Sequence, residues 1–192
     1  MSHPMLARKT NKKRLGLAVK ALSIMGLVAS SGLSPSLAQA GVKFSLFGAG
    51  QRLLGTTADG STIDIGFGGG AALELGLGTS LSLDAGGIYL SRSASLAGTT
   101  FTTRAAQIPV GFRYRMGSMF SIGLGGWYEL PMDSSGLSDY GAQANLRLSI
   151  PIKFAALFIE PRYNYGLRTF DDGSQSSEIV GLVGLTFGGM GK

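Results

Sequence analysis

The chain has 192 residues, 31 of them glycine, no cysteine and a formal charge of +6. The charge is localised: Arg8, Lys9, Lys12, Lys13, Arg14 and Lys20 supply six of the 17 basic residues, and no acidic residue precedes Asp59. From Gly41 onward 11 basic residues balance 11 acidic ones, so the overall charge gives no argument for a nucleic-acid partner.

Residues 1–40 have the layout of a secretory signal peptide, with a basic region to Arg14, an apolar stretch around Leu15–Leu33 and a small-x-small cleavage pattern at Leu37-Ala38-Gln39-Ala40. An N-terminal membrane anchor is the alternative. Lys20 interrupts the apolar stretch, however, and its clean core, Ala21–Val28, is far short of the roughly 20 residues a spanning helix needs. The expectation is therefore a leader over 1–40, cleaved near Ala40, and one domain over 41–192. No later stretch is apolar for long enough to be a transmembrane helix. The lack of cysteine suits a fold that does not rely on disulfides in an oxidising compartment.

Past Gly41 the pattern is alternation, which means strands. Val42–Gln51 places Phe44 and Leu46 opposite Lys43, Ser45 and Phe47. A polar loop around 53–61 follows. Ile63–Leu77 then sets Ile65, Phe67, Leu73 and Leu75 against Asp64, Gly66 and Glu74, and Ser80–Arg92 sets Leu81, Leu83 and Tyr89 against Ser82 and Asp84. The two meet at Gly78-Thr79, a hairpin turn. After a Ser/Ala/Gly/Thr loop at 93–99, Thr100–Arg115 puts Ile108, Val110, Phe112 and Tyr114 opposite Gln107, Gly111, Arg113 and Arg115. Pro109 within it would normally mark an edge strand or a bulge. Met116-Gly117 turns the chain into Ser118–Leu130, where Phe120, Ile122, Leu124, Tyr128 and Leu130 oppose Ser121, Gly123, Trp127 and Glu129. Beyond the loop at 131–138, Asp139–Ile150 opposes Tyr140, Leu146 and Leu148 to Gln143, Asn145 and Arg147. Pro151–Lys153 turns into Phe154–Arg168, with Leu157, Ile159, Tyr163 and Tyr165 opposite Glu160, Arg162 and Asn164. A loop over 169–176 leads to Ser177–Gly188, with Ile179, Val183, Leu185 and Phe187 on one face.

The runs are about twice the usual 5–6 residues of a soluble strand and match the 9–11 or so of a strand tilted across a bilayer. Short turns alternate with longer loops, as in outer-membrane barrels with short periplasmic turns and longer extracellular loops. An even count in up-and-down order also leaves no free edge, which lipid does not tolerate. The predicted fold is all-β: an eight-stranded antiparallel up-and-down transmembrane β-barrel.

In such a barrel the apolar face points outward to lipid and the polar face inward. Phe44, Phe112, Tyr114, Phe120 and Phe187 lie on the apolar face near the short turns, and Tyr89, Tyr128, Tyr140, Tyr163 and Tyr165 toward the loops. Two such belts suit two membrane–water interfaces; packing in a soluble core is the alternative. Glu74, Asp84, Arg113, Glu129, Arg147, Glu160 and Arg162 would share the interior, where opposite charges must pair. Glu74, Asp84, Arg113 and Arg147 are expected in one layer near the short turns, with Glu160 and Arg162 higher. This network is either a plug that stabilises the barrel, the favoured reading, or a gate on a narrow ion path.

No catalytic machinery is evident. The sole histidine, His3, lies in the leader, which leaves 41–192 without the usual general base or a thiol nucleophile. Ser80, Ser82, Ser121 and Ser149 read as lumen hydroxyls. Asp171 and Asp172 could contribute to a Ca²⁺ site, but a solvated loop is the simpler reading. Gly66–Gly70 lacks the Lys-Ser/Thr and the helix of a phosphate loop. No catalytic residue, metal or cofactor is assigned.

Over Gly41–Phe187 the chain resembles the small eight-stranded outer-membrane barrels of the OmpA/OmpX type, or outer membrane protein β-barrel domain. Such proteins end in a strand with alternating apolar residues and a terminal aromatic that the assembly machinery recognises. Ile179, Val183, Leu185 and Phe187 look like that signal, although Gly188–Lys192 follow the aromatic. The resemblance implies a monomer in the bacterial outer membrane, in contact with outer-membrane lipids and lipopolysaccharide and inserted by the barrel assembly machinery. The expected role is non-enzymatic, structural or surface-presenting. A narrow channel for small solutes or ions is the first rival, and a secreted soluble barrel with its apolar face around an apolar ligand is the second.

Overall fold

The computed structural model describes residues 41–54, 62–63, 65–96, 99–133, 138–169 and 175–188. The leader 1–40 and the acidic pair Asp171 and Asp172 lie outside the described residues. Eight long strands form, β1 (Val42–Leu53), β3 (Gly66–Gly76), β4 (Leu81–Leu96), β5 (Thr99–Met116), β6 (Phe120–Pro131), β7 (Asp139–Ile152), β8 (Ala155–Thr169) and β9 (Gln175–Phe187). A two-residue piece, β2 (Thr62–Ile63), leads into β3 and pairs with β4. The β4 register shifts by one residue between Ile63↔Ala94 and Phe67↔Ser91, as at a bulge.

Every pairing is antiparallel, each long strand lies beside its neighbours in sequence, and β9 returns to β1. The sheet is therefore a closed barrel, and no long strand keeps an unpaired edge. Its stagger can be read from the pairs. From Lys43 the chain of partners Glu74, Asp84, Gly111, Gly125, Gln143, Asn164 and Glu178 leads back to Leu53 on the starting strand. An offset of ten residues around eight strands, at about 4.8 Å between strands and 3.4 Å per residue, tilts the strands by about 40° and sets a radius of about 8 Å. Side chains can fill such an interior.

Alternation decides which groups go inward. Along β8 the pattern is strict: Phe158, Glu160, Arg162 and Asn164 are buried, while Leu157, Ile159, Tyr163 and Tyr165 are exposed. The outer wall is apolar on every long strand. The inside is layered, because Phe47, Ala49, Ala72, Ile88, Leu90, Phe158, Val180 and Leu182 make an apolar cluster among the polar groups. Phe47 fits because two neighbouring strands offer glycine. A Cβ on Gly184 would lie 2.6 Å from the Phe47 Cβ, and one on Gly70 would lie 2.9 Å from its ring. The inward face is thus only partly polar, contrary to the simple alternation reading.

Pro109 makes neither an edge nor a bulge. It is buried in β5, paired with Trp127 on one side. On the other side the ladder stops at Ala85↔Val110 and resumes in the same register at Ile88↔Gln107. The missing N–H is absorbed by a local gap opposite Gly86-Gly87. Pro161 does the same to the β7–β8 ladder, between Asn145↔Arg162 and Leu148↔Ile159. Two boundaries also move. Pro151 belongs to β7 and the turn is Lys153-Phe154. The expected loop at 93–99 is mostly strand, since β4 and β5 stay paired out to Leu96↔Thr99. Ser and Thr there alternate as strand residues, and Thr is β-branched. At this connection the short-turn, long-loop alternation fails.

Candidate functional site

Two polar layers occupy the barrel interior. The one at the short-turn end is built by inward positions of β1, β3, β4, β5, β7 and β8. Glu160, fully buried, accepts from Arg162 Nε at 2.5 Å and from Arg147 Nε, and is ion-paired with Arg113 Nη2 at 3.1 Å. Arg113 Nη2 also reaches Asp84 at 2.5 Å. Glu74 accepts from Lys43 at 3.2 Å and faces Arg115 at 3.6 Å, Arg147 at 3.8 Å and Arg113 at 3.9 Å. Arg147 in turn lies over the Phe158 ring, 4.2 Å from its centroid, where the apolar cluster begins. Five cations thus share three carboxylates.

The layer toward the loops has different chemistry. Arg92 grips Glu129 with both terminal nitrogens and donates through Nε to Gln51. Its Nη2 also stands 3.6 Å from Glu178. Glu178 is held mainly by neutral amides: Gln107 at 2.7 Å, Asn164 at 2.6 Å, and Gln51. One arginine therefore stands between two carboxylates. Above it Asp139 accepts from Ser176. Trp127 is turned inward, its Nε1 donating to the Ala142 carbonyl at 3.2 Å.

All seven interior residues expected from the sequence point into the lumen. Glu160 and Arg162 extend the layer of Glu74, Asp84, Arg113 and Arg147 upward along β8, ion-paired to Arg113, Arg147 and Asp84. The β7–β8 hairpin overshoots β6, whose first residue Phe120 already pairs with Leu148. Glu129 belongs to the other layer. The sequence reading left out Lys43, Arg92, Arg115 and Glu178, although each has the inward parity of its strand: Arg92 with Asp84, Arg115 with Arg113, Glu178 with Val180. Parity was the available signal.

The ten aromatics named from the sequence all face outward; Phe187 is half-buried and the others exposed. Phe67 and Phe154, outside the two expected belts, are exposed as well. No group of three or more His, Cys, Asp or Glu that could hold a metal occurs among the described residues.

OprG from Pseudomonas aeruginosa, an outer membrane protein, superposes with a TM-score of 0.51 at 13% identity, covering 79% of this chain and 97% of OprG. The fold is that of the small eight-stranded outer-membrane barrels. Ail, the attachment invasion locus protein of Yersinia pestis, solved in complex with the heparin analogue sucrose octasulfate, gives 0.51 at 12% identity over 78% of this chain and 99% of Ail. Identity at this level speaks for architecture alone. No family model matches the sequence, and no curated protein matches it either.

Proposed function

We propose that this chain is a non-enzymatic integral protein of the bacterial outer membrane, with a lumen closed by its side-chain layers and a structural or surface-presenting role. The observation that carries this is the outer wall. Among the described residues the exposed charged side chains are Arg52, Arg104 and Lys153, and all three lie at the rims. Arg52 ends β1, Lys153 is in a turn, and the Arg104 backbone bonds to Met132 and Asp133 beyond β6. Between them the wall is Leu, Ile, Val, Ala and Gly, flanked by the two aromatic belts. The shortest long strand, 11 residues, rises about 28 Å along a barrel tilted at 40°, enough for an apolar band of about 25 Å. A water-facing wall of this composition is an aggregation liability; lipid removes that cost. The outward apolar face also leaves the soluble, ligand-enclosing reading without its cavity lining.

The leader would be removed near Ala40, the barrel would act as a monomer among outer-membrane lipids and lipopolysaccharide, and the assembly machinery would read the final strand at Phe187. The test is envelope fractionation followed by electrophoresis of the detergent-extracted protein with and without boiling. Outer-membrane location with a heat-dependent mobility shift supports the reading. Release as a soluble periplasmic protein overturns it. A narrow channel is the second reading. Arg92 favours it, because it can trade its contact with Glu129 for one with Glu178 and so open and close a path. Unitary conductance of the purified protein in planar bilayers, altered by Arg92→Gln, decides between the two.

A further inference from the structure

We propose that the short-turn mouth of the barrel binds a small tetrahedral oxyanion of the phosphate class. A cavity of about 160 Å³ opens there, against the ~10–15 Å³ that one water needs. Lys43, Arg113, Arg115 and Arg147 line it, opposed by the single carboxylate of Glu74. Its rim is formed by Met119 and Pro151 at the ends of the hairpins. The surrounding ion-pair network does not balance the charge. Lys43, Arg113, Arg115, Arg147 and Arg162 face Glu74, Asp84 and Glu160, a surplus of two positive charges.

A second observation is independent of that count. Arg113, 1% exposed, has no hydrogen-bond partner for Nε or Nη1, and Arg147, 3% exposed, has none for Nη2. Buried cations with unmet N–H groups are costly. A multivalent acceptor answers both needs at once, since guanidinium forks match the oxygen spacing of a phosphate-like group. Chloride supplies charge without several directed acceptors, and a carboxylate supplies acceptors in one plane only. The anion can be free in solution or the phosphate of a lipid headgroup reaching the rim. The inference needs only the barrel interior and stands apart from the role proposed above.

The test uses the mature chain folded in non-ionic maltoside micelles, with folding confirmed by heat-dependent mobility. Inorganic phosphate is titrated at ionic strength matched with chloride, and backbone amide shifts of Ser121, Ser149 and Thr186, all lining the cavity, are followed by NMR. The expected result is saturable shifts confined to that end of the barrel. The double variant Lys43→Gln/Arg115→Gln removes the two more exposed cations of the cavity and should bind about tenfold more weakly. Glu74→Gln removes the opposing charge and should bind more tightly. Phosphatidylglycerol added to the micelles distinguishes the sources: competition with phosphate marks a headgroup site, and its absence marks a solute site. Shifts that fail to saturate, that chloride reproduces, or that ignore both sets of variants overturn the proposal.

Discussion

Glu160→Gln is the sharpest test of the short-turn layer, because the substitution keeps the shape and removes one buried charge. Glu160 accepts from Arg162 through Oε1 and from Arg147 through Oε2, which is also ion-paired with Arg113. Both oxygens are therefore committed to guanidinium donors. Whichever way a glutamine amide is turned, its NH₂ meets an arginine N–H, and three arginines lose the carboxylate they share. Hydrogen bonds to charged groups contribute about 1.5–3 kcal/mol each, so the two represent a gross loss of roughly 3–6 kcal/mol, to which the lost ion pair with Arg113 adds. Relief of the carboxylate's own desolvation offsets part of this, and removing one partner of a buried ion pair typically costs about 3–5 kcal/mol. That range is the expected destabilisation. Urea unfolding of the barrel in lipid vesicles, followed by tryptophan fluorescence, reads it through the single, inward-facing Trp127. A change under about 0.5 kcal/mol would mean that water from the neighbouring cavity already reaches Glu160 and carries its charge, and the account of Glu160 as a water-excluded acceptor would be wrong.

Three further outcomes test other parts of the fold. Leu124, 67% exposed at the middle of β6, should tolerate Arg poorly in a bilayer, at a cost of about 2–4 kcal/mol measured by the same unfolding assay; a neutral result would place that wall in water. Gly184→Ala puts a Cβ 2.1 Å from the Leu46 carbonyl oxygen and 2.6 Å from the Phe47 Cβ, so it should cost at least the ~1–3 kcal/mol of an overpacked core and slow assembly. Pairing it with Phe47→Ala should recover little, since the nearer clash is with backbone. Arg92→Gln strands Glu129 beside Glu178; unfolding should show a loss of about 3–5 kcal/mol, and adding Glu129→Gln should return part of it.

The fold was legible because its signal is a period of two repeated over many strands, and because the hairpin turns carry glycine where the backbone needs it. Gly117, at φ 78°, is one such position. The places where reading failed share a cause: each depends on a partner strand. Pro109 reads as an edge signal along its own strand, yet the barrel keeps it by dropping two ladder pairs opposite Gly86-Gly87. The residues 93–96 read as a loop by composition, but their pairing with β5 extends the hairpin. Which cations Glu160 meets depends on the register of β7 and β8 against their neighbours, which one sequence does not display. Inward apolar residues such as Phe47 and Phe158 follow parity, but the room for Phe47 emerges only when Gly70 is seen against its ring and Gly184 against its Cβ.

The two interior layers differ in a way that bears on plug against path. At the short turns, arginines outnumber carboxylates, so any anion leaving the mouth for the interior must part from several guanidinium donors. Toward the loops, Glu129 and Glu178 share Arg92 while neutral amides do most of the holding, so the local balance is negative. On the β1, β3, β4 and β9 side an apolar patch around Phe47, Ala72, Ile88 and Leu182 separates them, whereas the inward faces of β7 (Arg147 to Asp139) and β8 (Glu160 to Asn164) carry no apolar side chain between the layers. An anion held at the first layer is repelled by the last, and a cation faces the reverse. This order of layers opposes conduction of both signs, which is why the closed-lumen reading is preferred over the channel. Neutralising one layer alone would not open a path, whereas replacing Phe47 and Leu182 by serine together with Arg92→Gln should produce measurable conductance if the charge order and the apolar patch together form the barrier. If conductance appears with Arg92→Gln alone, the loop-end layer is a gate and the channel reading takes precedence.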